Sequence, residues 1–358
     1  MSSRERSLFR GENGNKQRGS LLLRIVKWTG VSLIGLIFLA IISGLLFQAI
    51  ASSHDAKRYP PPGRLFNLGT HTLHARIDGQ GGPTVVLESP LGGSHLGWSL
   101  VQPGLATHTT VLSYDRAGYG WSGKGPRPRT ADRLTDELWQ LLVISGVPKP
   151  YILVGQSFGG TLVRLLSIKH PEETAALLLI ETSHENMFAR MPEALEEVNA
   201  AKRQMAIIRL LAPFGLMRVM KKPLGEGSMD ILPHELRPAA RAAGYRLRWL
   251  GAVADETSVI ETSLTQVRKA VAAKGPGPFA KMPVVVLIRG RPLDDKEAAG
   301  YEIWMDMQKD LAASSTHGSH LIIEGSGHFI QADKPGAIIE SVVRLLDQIR
   351  QPGARCAG

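Results

Sequence analysis

The sequence contains few of the residues that build metal centres or disulfides. Its only cysteine is Cys356, so an intrachain disulfide and a cysteine-based metal site are both excluded. His95 and His184 have no second ligand at a recognisable spacing, and we expect them to pack or to form hydrogen bonds. The glycines between positions 155 and 160 are not followed by the Lys-Ser/Thr pair of a phosphate-binding loop. The chain is therefore expected to need no metal and no cofactor.

Acidic residues are the minority, because 42 Lys and Arg stand against 32 Asp and Glu, which gives a formal net charge of +10. Residues 1–27 carry seven Lys or Arg and two Glu, and the difference, 7 − 2 = +5, is half of that excess. No basic segment is interleaved with aromatic residues, so binding to nucleic acid is not predicted. The basic N-terminus instead flanks a long apolar segment.

Charge is absent from Trp28 to Ile50, a stretch of 23 residues rich in Leu, Ile, Val, Phe and Ala. At about 1.5 Å per residue, a helix of this length spans the roughly 30 Å hydrocarbon core of a bilayer. The basic flank predicts a cytoplasmic N-terminus, with the bulk of the chain outside the cytoplasm. The alternative is a secreted protein cleaved near Ala51, because Ala49-Ile-Ala51 resembles a signal-peptide cleavage site. The stretch is longer than the usual signal-peptide core of about 7–15 residues, which favours a retained anchor.

A serine stands between two glycines after a short apolar run, in Tyr151-Ile-Leu-Val-Gly155-Gln-Ser157-Phe-Gly159, and a helix-like segment follows. This order of strand, tight turn and helix is the setting in which a serine becomes a nucleophile. The glycines suit a turn that is too tight for Cβ atoms, and a strained serine backbone points the hydroxyl out of the sheet. We therefore predict that Ser157 is a nucleophile.

The partners of such a serine follow it along the chain, first an acid and then a histidine. His328 follows an apolar strand and a Gly-Ser-Gly loop and precedes a helix-like segment over 335–349, so it is the predicted general base. The acid should follow the buried strand over 283–288, where Asp294 and Asp295 stand. Asp294 is preferred because it is nearer the strand, although a helix N-cap is another role for either residue. Glu181, at the end of the preceding strand over 175–180, is the rival.

Together these segments resemble an α/β-hydrolase-fold serine hydrolase of the esterase and lipase-like superfamily, over roughly residues 60–349. Two more motifs carry the resemblance. Ser113-Tyr-Asp115-Arg-Ala-Gly-Tyr-Gly-Trp-Ser122 is similar to the family's Asp-Arg-x-Gly-x-Gly-x-Ser, and Glu88-Ser-Pro-Leu-Gly-Gly93 stands where members carry His-Gly or a Glu-x-Gly-x-Gly variant. The resemblance implies an α/β fold, with a mostly parallel central sheet flanked by helices and a helical cap insertion.

The resemblance also implies a mechanism, in which Ser157 attacks a carbonyl, His328 takes its proton and the acid orients the imidazole. It assigns the oxyanion hole to the backbone N–H groups of Leu91 and Phe158. The chain departs from the family at Pro90, where glycine is usual, and proline has no N–H to donate. Because the epoxide hydrolases and haloalkane dehalogenases of this fold carry a carboxylate at the elbow, the serine favours acyl transfer, and hydrolysis of a carboxylic ester is its simplest form.

The patterns divide the chain into six segments. They are a basic tail over residues 1–27, a transmembrane helix over 28–50, a linker over 51–62, a first part of the hydrolase core over 63–182, a helical cap over 183–278 and a second part of the core over 279–350. The cap holds six of the ten methionines, namely Met187, Met191, Met205, Met217, Met220 and Met229. Flexible methionines predict an adaptable pocket for a hydrophobic acyl or alkyl group.

Other functions stay open at the level of sequence, because this fold supports many reactions. An acyltransferase would pass the acyl group to an alcohol, and lactone, amide or C–C cleavage would use the same parts. A non-catalytic member would use the fold to bind rather than to react. The expected partners are a small-molecule ester and, through residues 28–50, a membrane.

Overall fold

Eight strands form one sheet. The computed structural model describes residues 3–225, 229–292 and 298–351, with side chains from residue 22 onward. The strands are β1 (Arg64–Asn67), β2 (Thr72–Asp78), β3 (Thr84–Glu88), β4 (Val111–Asp115), β5 (Tyr151–Gln156), β6 (Thr174–Ile180), β7 (Val284–Arg289) and β8 (Gly318–Ile323). Their order across the sheet is β1-β2-β4-β3-β5-β6-β7-β8.

The sheet is mostly parallel, as predicted. Strand β2 runs antiparallel to both of its neighbours, and all pairs from β4 across to β8 are parallel. Parallel strands are covered by helices on both faces and therefore read as continuous apolar runs. Every residue of β3, β4 and β5 is buried, in keeping with cover on both faces.

Helices connect the strands and cover both faces of the sheet. The α-helices are α1 (Ser3–Arg58), α2 (Gln102–Ala106), α3 (Ala131–Ser145), α4 (Phe158–Lys169), α5 (Met187–Arg190), α6 (Pro192–Leu211), α7 (Leu216–Val219), α8 (Arg237–Gly244), α9 (Leu247–Ser258), α10 (Ile260–Lys274), α11 (Ala298–Ala313), α12 (Ile330–Asp333) and α13 (Pro335–Arg350). Single 3₁₀ turns lie at His95–Trp98, Pro171–Glu173, Ala212–Phe214 and His234–Leu236.

The core lies on the two faces of the central strand β5. Successive strand residues point to opposite faces. Accordingly, Ile152 and Val154 pack into the cluster that contains the apolar face of α13, whereas Leu153 packs into the cluster that contains α3 and α4. This double layer makes the carboxyl ends of β5, β6 and β7 a rigid platform for side chains.

The N-terminal helix α1 extends beyond the predicted membrane segment. Residues 51–58, predicted as a linker, are helical, and the helix ends at Arg58 before the prolines at 60–62. The most apolar 18-residue window between Leu22 and Arg58 has a mean hydropathy of 2.5. No residue of that window is buried. The helix is thus long and apolar enough to cross a membrane, and a signal sequence would have the same properties.

The region between β6 and β7 covers the carboxyl ends of the strands. Among its described residues, 183–225 and 229–278, it forms helices and turns and no strand. Helices α6 and α9 pack against each other, and Trp249 and Val253 of α9 face the same cavity as Ser157. We call this helical region the cap.

Candidate active site

Ser157 occupies a sharp turn between β5 and α4. Its backbone has φ 54° and ψ −122°, a conformation that non-glycine residues rarely adopt, and its N–H donates to the carbonyl oxygen of Ile180 at 2.9 Å. Strain of this kind concentrates at functional sites, where the surrounding structure enforces it. The turn places Ser157 beside the open cavity under the cap.

The glycines around Ser157 permit this turn because no Cβ fits beside it. A Cβ on Gly155 would lie 2.6 Å from the Cα of Gly160, and a Cβ on Gly159 would lie 2.6 Å from the carbonyl oxygens of Glu88 and Ser89. Real Cβ atoms do not approach backbone so closely. The close approach at Gly159 brings the start of α4 against the segment after β3.

His328 borders the same cavity as Ser157, on the loop between β8 and α12. Gln156, next to the serine, donates from Nε2 to the carbonyl oxygen of His328 at 3.0 Å and accepts a hydrogen bond from Gln331 at 2.7 Å. Gln156 therefore links the loop that contains His328 to the turn that contains Ser157. Within the described chain no hydrogen bond joins Ser157 and His328 directly, and such contacts are often loose before substrate binds. Sequence analysis did not single out Gln156.

Among the described residues, Glu181 is the carboxylate that meets His328. Its Oε2 lies 3.4 Å from the Nδ1 of His328. Its Oε1 accepts hydrogen bonds from the backbone N–H of Arg289 at 2.9 Å and from the indole N–H of Trp304 at 3.3 Å, and the Arg289 guanidinium forms an ion pair with Oε2. Like Ser157, Glu181 has a positive φ, 47°, where its strand ends.

The electrostatic environment of Glu181 favours its ionised form. Burial alone would raise the pKa of this fully buried carboxyl, but the hydrogen bond to His328 and the charge of Arg289 outweigh burial and lower it. An ionised acid beside Nδ1 holds the imidazole with its other nitrogen free to accept a proton. Glu181, the rival in the sequence, therefore has the contacts of an orienting acid, whereas Asp294 and Asp295 lie outside the described residues.

Leu91 and Phe158, whose amides are the predicted oxyanion donors, lie on the loop after β3 and at the start of α4. Phe158 is the first residue of α4, so its N–H has no intrahelical acceptor and lies at the positive end of the helix dipole. Leu91 lines the cavity. Among the hydrogen bonds between described residues, none uses the Leu91 N–H, although Gly93 donates back to the carbonyl oxygen of Pro90 at 3.0 Å. Pro90 thus bends the loop without occupying the donor position.

Arg116 fixes the loop that contains Leu91. Its guanidinium donates to the carbonyl oxygens of Ser89 at 2.7 Å and Pro90 at 2.8 Å. It also pairs with Glu88 at 2.5 Å and with Glu256 of α9 at 3.1 Å. The cap therefore reaches the loop through one buried arginine. Arg116 belongs to the Asp-Arg-x-Gly motif, which does not by itself indicate this contact, and nothing in the sequence indicated Glu256.

The cavity beside Ser157 has a volume of about 290 Å³ and mainly apolar walls. Its cap side is formed by Leu224, Met229, Ile231, Leu232, Ala240, Trp249 and Val253. Of the six cap methionines only Met229 lines it. Met187 and Met191 pack against Trp304 instead. The prediction of an apolar pocket holds, but aliphatic and aromatic side chains, rather than a set of methionines, form it.

One group in the described chain has the spacing of a metal site, namely His74, His95 and Asp115. The Asp115 carboxylate already accepts hydrogen bonds from both Nδ1 atoms, at 2.9 Å each, and from the backbone N–H groups of His95 and Trp121. Burial would raise the pKa of Asp115, but the two histidines lower it well below its usual range. These hydrogen bonds explain why the three side chains lie together without a metal ion. They agree with the predicted hydrogen-bonding role of His95.

His184 also forms a hydrogen bond and is not part of a group of possible metal ligands among the described residues. Its Nδ1 accepts a hydrogen bond from the backbone N–H of Asn186 at 3.0 Å, and burial lowers the pKa of its imidazole.

Residues 82–341 match the family model described as alpha/beta hydrolase family. The chain belongs to this family. A curated relative, the uncharacterized protein YqjL of Bacillus subtilis, is 27% identical over 45% of this chain and 64% of its own length. The chain spans between 20% and 64% of the length of the first curated relatives it matches. Membership of the family supports hydrolase activity.

Solved structures repeat the fold over most of the chain. The enol-lactonase from Burkholderia xenovorans LB400 is 20% identical with a TM-score of 0.57, over 79% of this chain and 100% of the lactonase. A putative epoxide hydrolase from Pseudomonas aeruginosa is 19% identical with a TM-score of 0.62, over 82% of this chain and 98% of the hydrolase. At this identity the similarity shows the α/β-hydrolase fold, and the reaction has to be argued from the site.

Proposed function

We propose that the protein is a serine hydrolase that cleaves a carboxylic ester through an acyl-enzyme on Ser157. The observation that carries the proposal is the set of contacts around one cavity: a serine on a strained turn, a histidine on the facing loop, and a buried, ionised glutamate 3.4 Å from that histidine. These are the parts of a nucleophile, its base and the group that orients the base. We assign them to Ser157, His328 and Glu181.

The reaction uses these groups in two steps. In the first, the Oγ of Ser157 attacks the ester carbonyl, the Nε2 of His328 takes the proton, and the oxyanion accepts hydrogen bonds from the N–H groups of Leu91 and Phe158. The alcohol leaves with the proton from His328. In the second, water attacks the acyl-enzyme with His328 as base, and the acid is released. Glu181 stabilises the imidazolium that forms in each step.

The walls of the cavity favour a hydrophobic substrate of modest size. Sites of about 300 Å³ are at the small end of the range for small-molecule ligands. The cap supplies apolar side chains, and the polar lining residues, among them Ser157 and His328, come from the core. An ester with an apolar acyl or alkyl group fits this division, with its carbonyl at the serine and its chain under the cap.

We also propose that α1 retains the protein in a membrane, with the N-terminus in the cytoplasm and the catalytic domain outside. The basic residues before Trp28 support this orientation. The packing of the end of α1 against the cap supports retention, since cleavage near Ala51 would remove part of a packed helix.

Ester turnover by the full chain in detergent tests the assignment. We expect Ser157→Ala and His328→Ala each to lower kcat for a p-nitrophenyl ester by roughly 10⁴-fold or more. Ser145→Ala and His108→Ala are matched controls away from the cavity and should keep wild-type turnover. Melting curves show whether the variants are folded. Wild-type-like turnover by a folded Ser157→Ala or His328→Ala protein contradicts the assignment.

A further inference from the structure

The cap exposes six apolar side chains in the segment that meets α1. They belong to the end of α6, to α7 and to the residue after it: Ile207, Leu210, Leu211, Leu216, Val219 and Met220. We call them the cap patch. Leu210 is 70% exposed and Val219 is 68% exposed, which is unusual for grouped apolar residues outside an interaction surface.

The cap patch is fastened to α1 by close backbone contact. A Cβ on Gly44 would lie 2.6 Å from the carbonyl oxygen of Phe214, and a Cβ on Gly215 would lie 2.7 Å from a ring carbon of Phe47. Glycine on both sides lets the helix and the turn before α7 approach to van der Waals distance. The residues just before and after this turn are the patch residues Leu211 and Leu216.

Polar contacts continue this interface toward the C-terminal end of α1. The Nε of Arg218 donates to Gln48 at 2.9 Å, and its Nη1 pairs with Asp55 at 2.7 Å. Gln48 in turn donates to the carbonyl oxygen of Tyr245 at 2.9 Å, and the Arg218 guanidinium lies 4.8 Å from the Tyr245 ring centroid. The cap is therefore held in a defined position along the helix.

The contacts between the cap and α1 overlap the uncharged, apolar stretch of α1. The uncharged stretch ends at Ile50. With a rise of about 1.5 Å per residue, Phe47 lies about 5 Å and Gly44 about 9 Å inside its end. The apolar contacts of the cap fall within the uncharged stretch, and the ion pair to Asp55 falls beyond it. A bilayer that surrounds the uncharged stretch thus reaches the level of the cap patch.

We propose that the cap patch is a second membrane contact, which lies among the lipids of the leaflet from which α1 emerges. The continuity with α1 commits the surface to a bilayer. The exposed residues Lys221 and Lys222 follow the patch directly, and a polar, cationic edge beside an apolar surface is typical of segments that lie in a membrane interface.

The contact has a consequence for the cavity, and this part rests on the proposed function. Leu224, only four residues after Met220, lines the catalytic cavity, as do Met229 and Leu232. The segment that leaves the membrane surface therefore forms the cavity wall. A hydrophobic ester dissolved in the bilayer would reach Ser157 along this wall without crossing water.

Lipid quenching of a fluorophore tests the contact without relying on activity. In a Cys356→Ser background, single cysteines replace Leu210, Val219 or Val143, and each full chain is labelled with NBD and reconstituted in phosphatidylcholine vesicles. Val143 is a matched control: it is a 55% exposed valine on α3, which ends where the chain returns to the start of β5, opposite the cap.

We expect doxyl-labelled lipids to quench NBD at Leu210→Cys and Val219→Cys several-fold more than at Val143→Cys. Equal, weak quenching at all three sites overturns the proposal. A blue-shifted NBD signal at Val219→Cys that depends on protein density but not on doxyl lipid also overturns it, because a second copy of the chain would then cover the patch.

Kinetics separate this proposal from the proposed function. We expect Val219→Glu to raise the apparent KM several-fold for a long-chain ester held in vesicles, with kcat for a water-soluble ester unchanged. Val143→Glu should leave both unchanged. If no variant and no wild-type sample turns over any ester, the proposed function fails while the quenching result still decides the membrane contact. An unchanged KM in Val219→Glu contradicts delivery from lipid.

Discussion

At the scale of single residues, Glu181 joins strand β7 to His328 through its carboxylate. Its carboxylate accepts hydrogen bonds from Arg289 and Trp304 and still reaches the Nδ1 of His328. Burial opposes its charge, but His328 and Arg289 keep its pKa below the ordinary value. Glu181 therefore stays ionised across neutral pH.

Replacing the acid tests this assignment. We expect Glu181→Gln to lower kcat by about 10³–10⁴-fold, since an amide no longer stabilises the imidazolium. The same change removes the buried ion pair between Glu181 and Arg289, so the melting curve of each variant is compared with that of the wild type. Glu181→Asp keeps the charge and shortens the reach to His328, so a folded Glu181→Asp protein should still lose most of its kcat. Asp294→Asn is the comparison, and a greater loss of kcat in Asp294→Asn than in Glu181→Gln contradicts the assignment.

The sequence patterns pointed to Ser157 and His328, and both residues line one cavity in the structure. A glycine-flanked serine after an apolar run and a histidine after a glycine loop each indicate their role from neighbours in the chain. The acid has no such pattern, since Glu181 and Asp294 both follow strands. Which carboxylate contacts His328 depends on the paths of the chain after β6 and after β7. Neither segment's sequence alone contains that information.

At the scale of elements, Glu256 of the cap is coupled to the loop that contains Leu91 through Arg116 and Tyr119. Arg116 holds two carbonyl groups of the loop, and Glu256 of α9 holds Arg116. Tyr119 also donates to Glu256, at 2.7 Å. A helix of the cap thereby helps to set the position of the Leu91 N–H.

Removing the charge of Glu256 should loosen the loop. We expect Glu256→Gln to lower kcat roughly 10- to 100-fold, less than the loss of an oxyanion donor itself, which costs about 10²–10³-fold. KM should change little, because Glu256 does not line the cavity. Glu261→Gln is the matched control, since Glu261 is exposed on the next helix and pairs only with Lys202 among described residues. A fall in stability without a fall in kcat would make Glu256 a purely structural residue.

The elements were predictable where burial is uniform. Strands β5 and β6 are buried along all or most of their length, and their apolar runs predicted strands before Ser157 and Glu181. The extension of α1 to Arg58 was not foreseen. Residues such as Ser52 and Asp55 look like linker residues in isolation, and their helical form is supported by distant contacts with Arg218.

At the scale of the whole molecule, a buried ion pair links α4 to the start of the cap. Arg164 donates to both carboxylate oxygens of Glu185, at 2.6 and 3.1 Å. Burial would raise the pKa of Glu185, but the charge and hydrogen bonds of Arg164 lower it to about 2, from an ordinary value of 4.5. A lowered pKa means that the ionised carboxylate stabilises the fold above pH 4.5 and that this stabilisation is lost as the pH falls toward 2.

Thermal unfolding of the full chain in detergent measures this contribution. We expect Glu185→Gln to be less stable than the wild type at pH 7, by on the order of 3 kcal/mol. The gap in melting temperature should narrow between pH 4.5 and pH 3, because only the wild type loses an ionised carboxylate. A gap of the same size at pH 7 and pH 3 contradicts the role of this pair.

The central claim is that Ser157 is an activated nucleophile, and a fluorophosphonate reports this most directly. The full chain, solubilised in detergent, is treated with the probe, and the modified peptide is mapped by mass spectrometry. We expect a single adduct on Ser157 that disappears in a folded His328→Ala variant. A folded wild-type protein without an adduct, or with an adduct that survives His328→Ala unchanged, contradicts the claim.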